Sequence, residues 1–343
     1  MKEYQLKDYE YHLPQELIAQ EPLEQRDSSR MLVLNRQAQH IRHDRFNNFA
    51  SYLTSGDLLV LNNTKVIAAR LNGIIEKSGT PAEILLINRL ENGNWEAMVK
   101  PGRKLKAGAV VSFDLGVRAV VEGIAADGLR EISFTADETF EKILPRLGKV
   151  PLPPYIKKDV KNPEQYQTIY AREEGSAAAP TAGFHFTDQV FAELETRGVQ
   201  KAFITLHIGP GTFQPVKVED IREHQMHHEY YRISDETARL LNSARAEGRR
   251  IIAVGTTVCR VLETLAAEGD QFTVTEGWTE LYIYPGFKFK AVDVLLTNFH
   301  LPRSSLLLLV SALAGREFIL KAYHEAVEQR YRFFSFGDCM FII

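Results

Sequence analysis

Cysteine is scarce in this chain, with Cys259 and Cys339 as its two examples among 343 residues. Two cysteines are too few for a disulfide framework, so the sequence favours a reducing compartment. The most apolar segment, residues 306–313, is far shorter than the roughly 20 residues that a membrane span needs. The first ten residues hold no apolar run typical of a signal peptide. We therefore expect a cytoplasmic protein with no membrane partner.

Positive charge is not in excess either. The formal net charge is −3, which excludes a protein that coats nucleic acid with its whole surface but is compatible with a local basic patch. Hydrophobic residues make up 45% and charged residues 25% of the chain. This composition is typical of a folded globular protein, and the length predicts two domains.

Residues 64–150 read as a small all-β unit. Short runs rich in β-branched residues alternate there with turn signals, and Asn92-Gly93 between two such runs is a strong hairpin signal. Several short strands at this spacing predict an inserted all-β barrel domain over 64–150. The proline-rich segment 149–154 is a stiff linker at its end.

The two flanking segments, 1–63 and 151–343, follow an α/β pattern. Alternating strands and helices of this kind predict a mixed, largely parallel sheet with helices. We expect both segments to form one discontinuous α/β domain into which the barrel is inserted. The predicted strands cover 30–35, 56–65, 202–208, 251–254 and 292–297, and the predicted helices 13–20, 188–197, 234–247, 258–267, 304–313 and 316–330.

A loop of small residues over 175–187 is the stretch around which we organise the site. Gly175 and Gly183 permit close backbone approach, and His185 stands between Phe184 and Phe186 just before a helix that Thr187 caps. A small-residue loop that enters a helix N-terminus is typical of a ligand site. A tight connection with a core histidine is an equally good interpretation of this stretch alone.

Three predicted strands end in polar groups, which favours a ligand site at their carboxyl ends. The first runs into His207 and the turn 209–211, the second into residues 255–257, and the third into Asn298 and His300. The turn at 255–257 lacks the G-x-G-x-x-G pattern of a dinucleotide site. Gly-Pro-Gly at 209–211 alone is more typical of a plain turn.

Segment 224–229 contains His224, His227, His228 and Glu229. Histidine and glutamate are zinc ligands, so a metal-dependent hydrolase is one alternative. The order is not H-E-x-x-H, however, and we expect no metal. Acid–base chemistry by His227 and Glu229 is the competing use of the segment.

Taken together, these motifs resemble the S-adenosylmethionine:tRNA ribosyltransferase-isomerase family of queuosine synthesis. The resemblance is collinear over nearly the whole chain. The motifs that carry it are NNTKVIAAR at 62–70, PLPPY at 151–155, SAAAPTAGFHFT at 176–187, TLHIGPGTF at 205–213, HQMHHE at 224–229, AVGTT at 253–257, LTNFHLP at 296–302 and YRFFSFGD at 331–338. Small departures, Ala68 where proline is expected and Val258-Cys259 after the Gly-Thr-Thr turn, remove no group with plausible chemistry.

The resemblance implies a transferase that uses S-adenosylmethionine as a ribosyl donor. The acceptor is 7-aminomethyl-7-deazaguanine at the wobble position of a tRNA. The ribosyl group is transferred and isomerised, epoxyqueuosine-tRNA forms, and adenine and methionine are released. S-adenosylmethionine is then a co-substrate, with no tightly bound cofactor, and we expect a monomer.

Candidate site residues follow from the motifs and this chemistry. Histidines suit the proton transfers because their pKa lies near the operating pH. The catalytic candidates are His185, His207, His227, Glu229 and His300. The S-adenosylmethionine-binding candidates are Pro180, Thr181, Gly183, Phe184, Phe186, Gly209, Gly211, Thr212, Gly255, Thr256, Thr257 and Asn298, with the two phenylalanines as cation–π partners of the sulfonium.

Contacts to tRNA are predicted on the barrel. Lys100, Arg103, Lys104 and Lys106 surround a Pro-Gly turn without an acidic residue among them, and Lys157 and Lys158 follow the linker. A solvated hairpin tip is the alternative for the first group. A non-catalytic RNA-binding module is the alternative for the whole chain, and turnover of S-adenosylmethionine separates it from a transferase.

Overall fold

The structure, a computed structural model, describes residues 4–125, 128–158, 162–209, 216–226 and 228–343. The chain divides into two compact units. The first comprises Met1–Thr64, Pro154–Arg172 and Pro180–Ile343, and the second comprises Lys65–Pro153 and Glu173–Ala179. The small-residue stretch 175–187 is therefore divided between the units at residue 180.

The described residues form 17 strands. In chain order they are β1 (Arg30–Asn35), β2 (His40–Arg45), β3 (Leu58–Asn62), β4 (Thr64–Val66), β5 (Arg70–Ile75), β6 (Thr80–Arg89), β7 (Trp95–Lys100), β8 (Val110–Ser112), β9 (Arg118–Ile124), β10 (Arg130–Thr135), β11 (Glu173–Ser176), β12 (Gln200–Leu206), β13 (Glu229–Ile233), β14 (Ile251–Val254), β15 (Thr275–Thr279), β16 (Val294–Asn298) and β17 (Cys339–Ile342).

Helices connect or cover these strands. The α-helices are α1 (Phe140–Leu147), α2 (Asp188–Thr196), α3 (Asp235–Ala246), α4 (Thr256–Glu268), α5 (Ser305–Ala314) and α6 (Arg316–Glu328). Short 3-10 helices cover Leu6–Tyr9, Gln15–Leu17, Arg26–Ser28, Phe46–Tyr52, Asp114–Gly116, Pro163–Tyr166, Thr181–His185 and Ile221–Glu223.

The described residues of the first unit build one nine-stranded sheet in the order β15-β13-β12-β3-β14-β16-β17-β1-β2. Its centre, β12-β3-β14-β16, is parallel, and the pairings of β15, β13 and β2 are antiparallel. β3 and β14 are buried at every position, as expected for central strands covered on both faces. The predicted α/β fold with a mixed sheet is confirmed, but four of the eight pairings are antiparallel, β16–β17 among them, so the sheet is not largely parallel as predicted.

The second unit contains a closed antiparallel barrel in the order β10-β7-β6-β5-β8-β9. Alternate residues of β6 face its interior, where Ala82, Ile84 and Leu86 are buried. Helix α1 adds Phe140 and Ile143 to the same apolar core. The predicted small all-β barrel is thus confirmed as well.

Local capping explains where several helices begin. Thr187 accepts a hydrogen bond from the Val190 amide at the start of α2, and Ser234 accepts one from the Thr237 amide at the start of α3. The helix predicted over 13–20 is wrong. A single 3-10 turn, Gln15–Leu17, forms instead because Pro14 and Ile18 on either side are extended.

Candidate active site

The carboxyl ends of the central parallel strands meet at one edge of the sheet, and Asn62 ties two of them together. Its Oδ1 accepts from the amides of Leu206 and Thr64, both at 3.1 Å, and its Nδ2 donates to the Leu206 carbonyl at 3.0 Å. The Asn62 side chain is fully buried. The ends of β3 and β12 are therefore held in a defined register beside the residues that follow them.

His207 comes directly after β12 at this edge. Its Nδ1 lies 2.8 Å from the Thr64 hydroxyl, and its ring stacks on Tyr230 with the centroids 5.7 Å apart. The hydrogen bond and the stacked ring fix the orientation of the imidazole. His207 is half-buried, so it combines a fixed position with access to solvent.

Glu229, at the start of β13, is buried and ion-paired. One carboxylate oxygen bonds the guanidinium of Arg260 from α4, and the other accepts from the Gly209 amide at 3.1 Å. Arg260 also donates to the carbonyl of Leu281 at 2.9 Å. Glu229 thus holds the backbone at Gly209, and the acid–base use predicted for it stays a prediction.

The 3-10 turn Thr181–His185 packs against the loop that leads into α4. Gly255 has φ +93°, and a Cβ there would lie 3.7 Å from the Ala182 Cβ. At Gly183 a Cβ would lie 2.0 Å from the hydroxyl oxygen of Tyr170. Glycine is thus required at Gly183 for steric reasons and at Gly255 for its positive φ.

His185 is buried at the end of this turn. Its Nδ1 lies 2.7 Å from the hydroxyl of Ser29, whereas its Nε2 has no hydrogen-bond partner among the described residues. Burial lowers the pKa of His185 to about 4, the neighbouring Asn298 side chain opposes this fall, and the charges of Arg332 and Arg26 lower the pKa further. The imidazole is therefore neutral near pH 7.

Several buried polar atoms near this turn lack hydrogen-bond partners among the described residues. Besides His185 Nε2 they include Thr168 Oγ1, Tyr170 Oη, Thr257 Oγ1 and Asn298 Oδ1. Buried polar groups are nearly always hydrogen-bonded, so a cluster of unsatisfied ones is typical of a place where a ligand binds. Asn298 Nδ2, by contrast, donates to the Phe334 carbonyl at 2.8 Å.

The two phenylalanines beside His185 have different surroundings. Phe186 is fully buried in the core against Phe46 and Phe49. Phe184 borders a small cavity with His185 and carries the guanidinium of Arg26 at 5.5 Å from its ring centroid. The structure therefore gives Phe184, rather than Phe186, a position from which it could hold a cation.

His300 is a buried residue of the loop after β16. Its Nε2 lies 3.1 Å from the Thr297 hydroxyl, and its amide donates to the Tyr323 hydroxyl at 3.0 Å. Burial lowers the pKa of His300 to about 3. These contacts are those of a histidine that orders its own loop, and its catalytic role stays a prediction.

The described members of segment 224–229 point to separate partners. His224 contacts the ring of Tyr282, His228 lies 3.5 Å from Glu280, and Glu229 is paired with Arg260. Among the described residues no group of three or more histidines, cysteines or acids is arranged to hold a metal ion. His227, like Gly211 and Thr212, lies outside the described residues.

The remaining residues predicted to bind S-adenosylmethionine lie next in the chain to the residues described above. Pro180 precedes the 3-10 turn and Thr181 opens it. Thr256 is the first residue of α4, which begins two residues earlier than predicted. Gly209 follows His207 and is held by Glu229.

The predicted basic turn of the barrel has exposed charged side chains, and its backbone is hydrogen-bonded by Arg130. Lys100, Arg103, Lys104 and Lys106 are exposed. Arg130, 9% exposed, donates to the carbonyls of Leu105 at 2.7 Å and Gly102 at 2.9 Å. Arg130 therefore links two backbone positions of the turn. Of the two lysines after the linker, Lys158 is ion-paired with Glu21 at 3.0 Å.

A family model described as queuosine biosynthesis protein matches residues 6–342 of the chain. The chain belongs to the queuosine biosynthesis protein family. It is also similar to a solved structure, that of an S-adenosylmethionine tRNA ribosyltransferase from Thermotoga maritima, with 43% sequence identity and a TM-score of 0.57. The match covers 98% of this chain and 100% of that one.

Several residues that shape the site of this queuosine biosynthesis family member were not predicted from the sequence. Ser29 orients His185, Thr64 orients His207, and Arg260 neutralises Glu229. Thr64 stands in the motif at 62–70, where nothing marks its hydroxyl as a partner of His207, and Ser29 lies in an ordinary-looking segment with no local signal. Among the residues that the structure describes, no helix has the length and apolarity that a membrane span requires.

Proposed function

We propose that this chain transfers and isomerises the ribosyl group of S-adenosylmethionine onto 7-aminomethyl-7-deazaguanine at the tRNA wobble position, giving epoxyqueuosine-tRNA, adenine and methionine. The observation that carries the proposal is the family match over residues 6–342. The ribosyltransferase that is 43% identical over nearly the full length of both chains supports it.

S-adenosylmethionine is assigned to the edge of the sheet where the central strands end. The unsatisfied polar atoms of Thr257, Asn298 and Tyr170 would bond to it. Pro180, Thr181, Gly183, Gly255 and Thr256 are the further candidates for contact with it, since the turn Thr181–His185 lies against Gly255. Phe184 is the cation–π candidate for the sulfonium, an interaction worth about 0.5–2 kcal/mol.

Proton transfer is assigned to the histidines. The carbon between the sulfonium and the ribose is acidified by the adjacent positive charge, so a neutral imidazole in contact with it could remove its proton. His185 is neutral near pH 7 and presents an unsatisfied Nε2. His207 is the second candidate, for donation to the departing purine or the ring oxygen, since Thr64 and Tyr230 hold its ring.

Contact with tRNA is assigned to the basic turn of the barrel. A chain with a net charge of −3 needs a local positive field to attract a polyanion. Arg103, Lys104 and Lys106 are exposed and supply one. Lys100, Lys157 and Lys158 are further candidates. A monomer acting in the cytoplasm completes the proposal.

The decisive experiment is mass spectrometry of tRNA carrying 7-aminomethyl-7-deazaguanine after incubation with the protein and S-adenosylmethionine. We expect the mass of epoxyqueuosine in the tRNA and adenine and methionine in equal amounts. S-adenosylhomocysteine as the main product would refute the proposal. The same assay after exhaustive chelation tests the metal-dependent alternative, which predicts loss of activity and its recovery with zinc.

A further inference from the structure

Three aromatic rings form a row across the sheet from His207 to its edge. His207 directly follows β12, Tyr230 lies on β13, and Trp278 lies on β15. Tyr230 and Trp278 are direct cross-strand partners, and the His207 amide donates to the Tyr230 carbonyl at 2.9 Å. Residues directly opposite each other on neighbouring strands share a face of the sheet. We name these three residues the aromatic row.

The rings of the aromatic row are in contact with one another. The centroids of His207 and Tyr230 are 5.7 Å apart at an interplanar angle of 21°. Those of Tyr230 and Trp278 are also 5.7 Å apart, at 69°. The Tyr230 hydroxyl donates to Glu276 at 2.6 Å, so the middle ring is held in place. The row is a preformed aromatic surface rather than a set of freely rotating side chains.

The outer end of the row is open to solvent. Trp278 is 52% exposed on β15, the edge strand of the sheet. A single exposed apolar residue needs no explanation, but this one continues a line of rings that ends at a candidate catalytic histidine. We propose that the aromatic row is a stacking platform for unpaired bases of the tRNA substrate next to the modified nucleotide. This inference rests on the proposed function.

The chemistry of the row fits bases better than phosphates. Aromatic side chains stack on any base, because every base has a π-face, and such stacking is how proteins hold splayed single-stranded RNA. The charges beside Tyr230 are mixed, since Arg232 and Glu276 both act on it. A mixed pair neither attracts nor repels phosphate strongly. The row should therefore contribute affinity that does not depend on salt.

The test uses the full-length protein and an RNA hairpin with the sequence of the anticodon stem and loop, bearing guanosine at the wobble position. We expect Trp278→Ala to weaken binding of this RNA by about 5- to 100-fold, the loss of one stacked base. Trp278→Phe should retain most of the affinity. In both variants the slope of log K against log salt concentration should equal that of wild type, because no phosphate contact is lost.

Fluorescence gives an independent reading, because the other tryptophan, Trp95, is 6% exposed in the barrel core. RNA should quench the emission of Trp278, and Trp278→Ala should abolish the quenching. Val274→Ala is the matched control, as it removes exposed apolar surface just before the same strand (62% exposed) without removing a ring. We expect it to bind RNA as wild type does.

Two outcomes would overturn the inference. One is an unchanged RNA affinity of Trp278→Ala together with no quenching of the wild-type emission by RNA. The other is a change in the sedimentation of the free Trp278→Ala protein with RNA affinity unaltered, which would make the row a contact between copies of this chain. Both leave the proposed function standing if wild type releases adenine and methionine. If wild type releases neither, the proposed function fails, whereas the binding data still decide whether the row stacks on RNA.

Discussion

The carboxylate of Glu229 and the guanidinium of Arg260 form an ion pair in which each side chain is 4% exposed. Glu229 starts a strand next to the edge of the sheet, and Arg260 lies in the helix that begins at the Gly-Thr-Thr turn. The pair therefore links β13, which pairs with the strand that ends just before His207, to α4, which begins directly after Gly255. Removing one charge would leave the other buried without a counter-ion, which is costly.

Arg260→Met should lower the free energy of unfolding by about 3–5 kcal/mol. The double variant Arg260→Met with Glu229→Gln should lose less, because it leaves no uncompensated charge and Gln can still accept from the Gly209 amide. Urea unfolding of the three proteins measures both values. Equal losses in the single and the double variant would contradict the pairing.

His185→Ala should lower turnover by about 10²–10⁴-fold if His185 acts in proton transfer. Ser29→Ala should lower turnover by a smaller factor, because it removes the group that orients Nδ1 and leaves Nε2 in place. Turnover and thermal stability are measured on the same preparations. A His185→Ala protein that is less stable but turns over normally per folded molecule would make His185 a core residue.

Stability should fall as the pH is lowered from about 6.5 to about 4. Burial lowers the pKa of His185 to about 4 and that of His300 to about 3. Below pH 6.5 the unfolded chain therefore binds protons at these histidines that the folded chain does not, and unfolding is favoured. Each histidine contributes up to about 1.4 kcal/mol per pH unit in this window.

The contribution of His300 can be isolated with His300→Gln. Its free energy of unfolding, measured with urea between pH 7.5 and 4.5, should depend less steeply on pH than that of wild type. Other groups titrate equally in both proteins, so the difference reports His300. Parallel curves would mean that His300 is accessible to protons in the folded state.

Replacing Arg103, Lys104 and Lys106 together by Ala should weaken tRNA binding and flatten its salt dependence, by close to one unit of slope for each lost phosphate contact. Binding of S-adenosylmethionine should not change. Lys77→Ala with Lys142→Ala, two exposed barrel lysines outside the basic turn, is the control. An unchanged salt slope in the triple variant would identify the turn as a solvated hairpin tip.

The parts of the fold that follow from local patterns could be predicted. The apolar runs of β3 and β14 indicate central strands, and alternating short strands with Asn92-Gly93 indicate the barrel. The pattern at 13–20 misled because apolar spacing there favours a helix, whereas Pro14 and Ile18 are extended. The extended backbone at Pro14 and Ile18 therefore limits the predicted helix to a single 3-10 turn.

The site depends on pairings across long stretches of chain, which no local pattern encodes. Ser29 and His185 are 156 residues apart, and Thr64 and His207 are 143 apart. Phe184 and Phe186 look alike in sequence and both are buried, yet only Phe184 borders the small cavity beside His185 and contacts the guanidinium of Arg26. Which side chains meet is decided by the order of the strands, which only the folded structure supplies.

That strand order has a consequence for synthesis of the protein. β17 is inserted between β16 and β1, pairing Met31 with Cys339 and Leu295 with Ile342. Arg30 and Asp338, which bond at the start of this pairing, are 308 residues apart. While the ribosome makes the intervening chain, β1 has a partner only in β2, and its other edge is an open template for association with other chains. The pair β1–β2 therefore joins the rest of the sheet only once β17 has been made, and its unpaired edge is exposed to association with other chains until then.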